Sequence, residues 1–333
     1  VEERSSILIQ QGLEEDERGN LEPSYEFSHL SFQEYLTAKA ISENWLPKED
    51  QQRPEKVYVT ILKKNSRKVQ WREVIPLTAV LLKSDAKPAM EYLLEVCKKN
   101  MESAYPDMRT KRTRSLMEAF HLANCIACEV PLAPEILEPA LLLIAQLSYS
   151  IERVRNEEFF DRERMQGYDV FMTIYHSEKY GKSLRRVVEK ELFENRKCEM
   201  LLGLTNVWSR IYYEENGKPK LNEIADIISE GNRENRIKGA LLMMRWAFDR
   251  ACDMGFVRRN LGKGQTAPGE IDEELFTRIF RPVLEMLGCE DTAVCSAACW
   301  CAAWSGYNEA DIIPKKYAPD IVIRLIRLWT VQK

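Results

Sequence analysis

Along most of this chain apolar residues recur at every third or fourth position, the spacing that places them on one side of an α-helix. Trp71, Ile75, Thr78 and Leu82 form one such stripe, and Met90, Leu93, Leu94 and Cys97 form the next. Leu116, Ala119, Phe120, Ala123 and Ala127 follow, then Ile136, Ala140, Leu143, Ile144 and Leu147. Later come Met200, Leu204, Val207, Trp208 and Ile211, then Leu221, Ile224, Ala225 and Ile228, then Ile237, Leu241, Met244 and Phe248. Ile279, Val283, Met286 and Leu287 precede Val294, Ala297, Ala298 and Cys301, and Ile321, Leu325, Leu328 and Trp329 close the series. Each set predicts a helix with one buried stripe. The expected fold class is all-α.

Only the start of the chain departs from this period. Ile7 to Gln10 and Tyr25 to Phe27 flank the acidic stretch GLEEDERGNLEPS, a pattern that predicts a β-hairpin with a long solvated tip. Ser31 and Glu34 have the spacing of a capping box, so a helix is expected from about Phe32, with Phe32, Tyr35, Leu36 and Ala40 on one face.

The helical stripes recur at a near-constant interval in the first half. Trp71 to Leu116 is 45 residues and Met90 to Ile136 is 46, which falls in the period of HEAT-type helix pairs. After residue 150 the period is lost, so the expected architecture is helical-repeat-like (HEAT/ARM-like). Breaks are expected at 47–55, 129–135, 214–220 and 255–270, the last read as a flexible basic loop.

Composition changes this picture little. The chain has 333 residues with only 14 glycines and 14 prolines, which favours helix and excludes a collagenous or β-rich chain. Nine cysteines, an odd number in a long chain, argue for reduced thiols in a cytoplasmic protein. No apolar run is long enough for a membrane span, so no membrane partner is expected. The chain starts VEERSS without an initiator Met and without a signal-peptide pattern, and is read as a piece of a longer protein.

The net charge of −4 conceals two opposite blocks. Residues 1–50 carry 12 acidic and 4 basic residues, whereas 53–72 carry seven basic and one acidic. With Arg109, Lys111, Arg112 and Arg114, the second block forms a basic stripe that nucleic acid or an acidic partner would fit. Solvated helix ends and intramolecular pairing are the commoner uses of such clusters, so nucleic acid is the lesser reading.

Candidate chemistry is sparse. His121, Cys125 and Cys128 fall at i, i+4, i+7 and offer three soft ligands. A fourth ligand is missing and the surroundings are apolar, so small buried groups are the preferred reading and no metal is expected. Cys295, Cys299 and Cys301 lie in AVCSAACWCAAW, where small residues allow close helix packing. With three histidines and no nucleophile–base motif, no catalytic residue is assigned. Gly255 to Gly264 looks superficially like a phosphate loop, but it has six residues between the glycines and Gly264 where a hydroxyl is needed. The segment in hand is therefore not read as an enzyme.

The most specific string is Tyr25-Glu26-Phe27-Ser28-His29-Leu30-Ser31-Phe32-Gln33-Glu34-Tyr35-Leu36-Thr37-Ala38. It resembles the F-x-H-x-S-F-Q-E-Y/F-x-A-A signature that ends the winged-helix domain of NACHT-type STAND NTPases. Glu3-Arg4-Ser5-Ser6-Ile7-Leu8 resembles the segment leading into the wing, and Trp71-Arg72-Glu73-Val74-Ile75 is similar, more weakly, to the start of the following helical region. The resemblance covers about residues 1–42. It implies the end of a winged-helix domain at 1–46 and an α-helical sensor domain at 47–333. It also implies that His29 contacts the phosphates of ADP in the intact parent. There an upstream nucleotide-binding domain would use ADP or ATP with Mg, and this segment itself would hold no cofactor. The implied function is the C-terminal sensor and regulatory region of a nucleotide-switched signalling protein in innate immune or anti-phage defence. A protein trigger would dock on the helical array, and the parent would oligomerise on activation. The alternative is an α-helical scaffold that binds a protein or peptide without any nucleotide switch.

Overall fold

The computed structural model describes residues 8–15, 19, 21–27, 30–45, 53–104, 117–148, 151, 169–195, 201–261 and 273–305. Two strands come first, β1 (Leu8–Glu15) and β2 (Leu21–Phe27). Thirteen helices follow among the described residues. They are α1 (Leu30–Ser42), α2 (Pro54–Asn65), α3 (Val74–Leu82), α4 (Lys87–Ala104), α5 (Met117–Ala127), α6 (Pro134–Gln146) and α7 (Val170–His176). Then come α8 (Gly181–Glu189), α9 (Leu201–Asn216), α10 (Leu221–Ser229), α11 (Arg233–Leu261), α12 (Glu273–Met286) and α13 (Thr292–Ser305). A π-helical turn, Lys190–Glu194, continues α8. Apart from the hairpin the described chain is helical, as its periodicity predicts.

The hairpin is more regular than its sequence suggests. β1 and β2 pair antiparallel from Leu8↔Phe27 to Glu15↔Leu21, with a register shift between Gln10 and Gly12. Most of the acidic stretch expected to be a loop is therefore strand, because the bulge re-phases the ladder and lets pairing continue to Glu15. Leu13, Glu15 and Leu21 share one face, and Leu13 and Leu21 are more than half exposed.

α1 also departs from expectation. It begins at Leu30, so Ser31 sits inside the first turn rather than at the cap. Its buried residues are Ala38 and Ile41, which face α3. Of Phe32, Tyr35, Leu36 and Ala40, which the spacing puts on one face, Phe32, Tyr35 and Leu36 lie on the opposite side and are 41%, 42% and 38% exposed, and Ala40 is half-buried. The helix thus has two apolar faces, and α3 covers the one that carries Ala38 and Ile41.

The chain divides into two compact units, residues 1–144 with 150–180, and residues 145–149 with 181–333. The segment 46–52, where the sequence suggests a boundary, lies outside the described residues. In the first unit α3 packs on α1 and α5, α4 packs on α2 and α5, and α7 covers α5. Its core holds Tyr58, Ile75, Met90, Leu93, Leu122 and Ile126, all fully buried. The Tyr58 hydroxyl would be costly here without a partner. It donates to the Ile75 carbonyl at 2.7 Å, tying α2 to the first turn of α3. Tyr180 plays the same part at the α5–α6 connection, donating to the Val130 carbonyl at 2.6 Å and accepting from the Leu132 N–H at 3.2 Å.

In the second unit α11 is the central helix, packed most extensively on α13 and α10 and also on α9. It runs to Leu261, so residues 255–261, read from the sequence as part of a loop, are helical. Two glycines set the spacing. A Cβ on Gly203 of α9 would lie 2.1 Å from the Gln146 carbonyl oxygen, and one on Gly239 of α11 would lie 2.7 Å from Ile228 Cβ of α10. Ser148 completes the first contact by donating to the Gly203 carbonyl at 3.0 Å.

These two contacts predict unequal penalties. Gly239→Ala meets Ile228 Cβ at 2.7 Å and the Ile228 Cα and backbone nitrogen at 3.0 Å, so α10 itself must give way, and it is expected to cost about 1–3 kcal/mol, the usual range for overpacking. Gly203→Ala meets the Gln146 carbonyl at the much shorter 2.1 Å, so its loss is expected to exceed that of Gly239→Ala. Denaturant unfolding of both variants checks the order.

Candidate functional site

The sequence offered His121, Cys125 and Cys128 as its main constellation, and the fold separates them. α5 carries His121 and Cys125 into the core, where every residue from Met117 to Ile126 is buried. Cys128 falls in the turn after α5 and is exposed. The helix end is marked by Glu129, whose φ of 57° is left-handed. The three residues therefore do not share a helical face.

His121 has a structural task. Its Nε2 lies 2.7 Å from the Ser66 carbonyl, so Nε2 carries the hydrogen and donates. The residue is fully buried, and Nδ1 has no hydrogen-bond partner. Burial lowers its pKa, and the Ser66 carbonyl, Glu118 and Glu73 only partly oppose that effect. Glu118, on the preceding turn, is also buried; its carboxylate accepts from Ser66 Oγ at 3.4 Å and faces Arg67 at 3.6 Å. The end of α2 is thus latched to α5 by one histidine and one carboxylate. Cys125 is buried beside Tyr58, and burial pushes its thiol pKa up, so it stays a neutral thiol.

The basic block at 53–72 is partly spent within the first unit. Arg67 faces Glu118, Arg72 pairs with Glu73 at 2.7 Å, and Lys63 lies over the Tyr92 ring at 5.5 Å. Arg109, Lys111, Arg112 and Arg114 lie outside the described residues, as does His29. Ile321, Leu325, Leu328 and Trp329 do too.

A polar chain that the sequence did not announce runs through the second unit. Lys218 pairs with Asp249 at 3.1 Å, Asp249 with Arg245 at 2.9 Å, and Arg245 donates to Asn206 Oδ1 at 2.5 Å. Asn206 donates to Ser148 Oγ at 3.3 Å. Its signal is an i, i+4 Arg–Asp pair on α11, which reads as a solvated salt bridge until the fold places buried Asn206 beside it. The Tyr213 hydroxyl is buried without a hydrogen-bond partner, and burial followed by Asp249 raises its pKa. At the opposite end of α11, Arg233 bonds the Phe193 carbonyl and pairs with Asp291 at 2.6 Å. Asp291 in turn caps α13 by accepting from the Ala293 and Val294 N–H groups at 3.0 and 3.2 Å.

One open surface depression, lined by Lys182, Arg185, Arg186, Glu189, Lys190 and Glu194, lies along α8 and its π-turn. Its charge is partly compensated, since Arg185 pairs with Glu189 at 3.1 Å and with Glu215 at 2.5 Å. Among the described residues no group of three or more His, Cys, Asp or Glu side chains is placed to hold a metal ion. No described helix is long and apolar enough to cross a membrane.

The lowered His121 pKa carries a signed consequence. Between the folded value and the ordinary value of about 6.5 the unfolded chain binds a proton that the folded chain refuses, so stability falls as pH drops through that window. His121→Gln keeps a donor for Ser66 and removes the titration. The loss of melting temperature between pH 7.5 and 5.5 is expected to be smaller in H121Q than in the parent; equal losses would assign the acid sensitivity elsewhere.

Compared with protein-family models, curated proteins and solved structures, the chain matches none.

Proposed function

We propose that this chain is the sensor and regulatory region of a nucleotide-switched NACHT/STAND signalling protein acting in cytoplasmic defence. Residues 1–46 close its winged-helix domain in this reading, and the helices beyond form a HEAT-like stack. The support begins with the long motif spanning Tyr25 to Ala38. To this is added a β-hairpin that leads into a helix, the order in which a wing precedes its last helix.

The observation that carries the proposal is the second apolar face of α1. Ala38 and Ile41 already anchor the helix on α3, yet Phe32, Tyr35 and Leu36 remain exposed on the other side, within the very stretch that carries the motif. Large apolar side chains grouped on one exposed helix face suit an interface better than water. In the proposed parent that face abuts the nucleotide-binding domain, and His29, at the head of the same helix, reaches the ADP phosphates. The N–H groups that any helix leaves without intrahelical partners in its first turn favour an anion at that end. A trigger bound to the helical region would favour the open state only by binding it more tightly than the closed one.

Two measurements test this. The encoding gene, expressed in full and denatured after purification, is expected to release close to one equivalent of ADP per chain, and His29→Ala to lower that retention. A full-length protein with neither a phosphate-binding loop nor bound nucleotide would leave the scaffold reading in its place.

The second measurement addresses the α1 face. The double variant Phe32→Ser, Leu36→Ser in the present chain is expected to shift stability by no more than about 0.5 kcal/mol per site, as exposed substitutions do. In the full-length protein the same pair is expected to lower ADP retention. A large loss of stability in the present chain would mean that the face is core.

A further inference from the structure

We propose that the exposed face of α2 is a docking site for the phosphate backbone of a nucleic-acid duplex, bound without regard to its sequence. In α2 Lys56, Thr60, Lys63 and Lys64 stand at i, i+4, i+7 and i+8, which places them on one side of the helix. All four are exposed, as are Arg53 at the N-cap and Arg67 and Lys68 in the turn that follows. The other side carries Val57, Tyr58 and Leu62 into the core. Six cations thus line the solvent side of α2 and the turn after it.

Intramolecular pairing, the common use of such a block, takes little of this one. Arg67 faces the buried Glu118 at 3.6 Å, yet its side chain stays 69% exposed. Lys63 rests over the Tyr92 ring at 5.5 Å, which steadies its head group without neutralising it. Among the described residues, Arg53, Lys56, Lys64 and Lys68 form no ion pair. Other helices match cations with carboxylates three or four residues away, as in Lys39–Glu43 of α1 at 3.0 Å, Lys98–Glu95 of α4 at 3.3 Å and Arg185–Glu189 of α8 at 3.1 Å. α2 has one carboxylate, Glu55, and the residues at those spacings after it are Tyr58 and Val59. Arg53 and Lys56 also sit at the start of the helix, where its dipole disfavours positive charge. Local stability does not explain such a face, whereas an anionic partner does.

The chemistry of the face selects that partner. Protein interfaces are centred on apolar and aromatic anchors and are poor in lysine. This face presents four lysines, and none of the exposed large apolar residues of the described chain lies on α2. A phosphate backbone needs only cations at intervals. Arg53 to Lys64 covers about 16 Å at the helical rise, the length of about five base pairs. A lysine is a compact point charge that meets a phosphate oxygen from many directions, and phosphate contacts carry no sequence information.

The test titrates the full chain into a labelled duplex of about 20 base pairs and follows fluorescence anisotropy between about 50 and 200 mM salt. A Kd on the order of 10 μM is expected at the low-salt end. Log Kd is expected to rise with log salt with a slope of about 3–4, the value for about four phosphates neutralised. The double variant Lys56→Gln, Lys64→Gln is expected to lower that slope by about 2 and to weaken binding about tenfold or more. Lys56→Arg with Lys64→Arg keeps the charge and is expected to keep binding. The matched pair Lys182→Gln, Lys190→Gln, on α8 and its π-turn, is expected to stay within about twofold of the parent, which separates the α2 face from net charge. Duplex DNA and duplex RNA form separate arms, and binding in either supports the site and names its source. Absence of binding at the low-salt end overturns the proposal, as does an equal loss in the α8 pair. Tighter capture of a polyglutamate peptide, or of phosphatidylserine vesicles, than of either duplex also overturns it. Circular dichroism confirms that each variant keeps its helices.

Discussion

An amphipathic helix of nine to eighteen residues cannot bury its own apolar stripe, and isolated helices of that length are marginal in water. Each must lend its stripe to a neighbour, and the neighbour must have a second stripe free for the next. α5 meets this condition fully: it is buried on every side, with α3, α4 and α7 around it. α11 holds the same place in the second unit, against α9, α10 and α13. Burying one large apolar side chain contributes about 1.5–3 kcal/mol, so Met117, Phe120, Leu122 and Ile126 of α5 together outweigh any single polar contact near them.

That arrangement sets what polar groups can do inside it. Where helices end in the core, the carbonyls beyond them need donors. His121 and Tyr180 supply them to Ser66 and Val130, after α2 and α5, and Tyr58 donates to the Ile75 carbonyl in the first turn of α3. A histidine and a tyrosine near the buried Cys125 invite a catalytic or metal reading. Their hydrogen bonds run to the backbone, however, and their burial favours the neutral forms. The same accounting gives meaning to Gly203 and Gly239. A helix that lends both sides to neighbours needs places where backbones approach closely, and a missing Cβ provides them.

The α1 helix is where this economy is left incomplete. Ala38 and Ile41 satisfy α3, and the apolar residues Phe32, Tyr35 and Leu36 are turned outward. With Leu13 and Leu21 exposed on one face of the hairpin, the first part of the chain presents more apolar surface than its own helices cover.

Local chemistry determined a good deal by itself. The stripes at Met90–Cys97, Ile136–Leu147 and Val294–Cys301 named buried residues correctly, because a 3.6-residue period leaves only one way for a helix to face a core. The breaks near 129–135 and 214–220 were equally legible from proline and glycine. Tertiary structure alone decided which of the two apolar faces of α1 would be covered, since both have helical spacing and only the position of α3 selects between them. It alone placed Cys128 beyond the end of α5, away from His121, and extended α11 through residues that look loop-forming. The polar chain from Lys218 to Ser148 also needed the fold: its members lie on separate elements, and charge spacing along one helix carries no information about a partner brought near by packing.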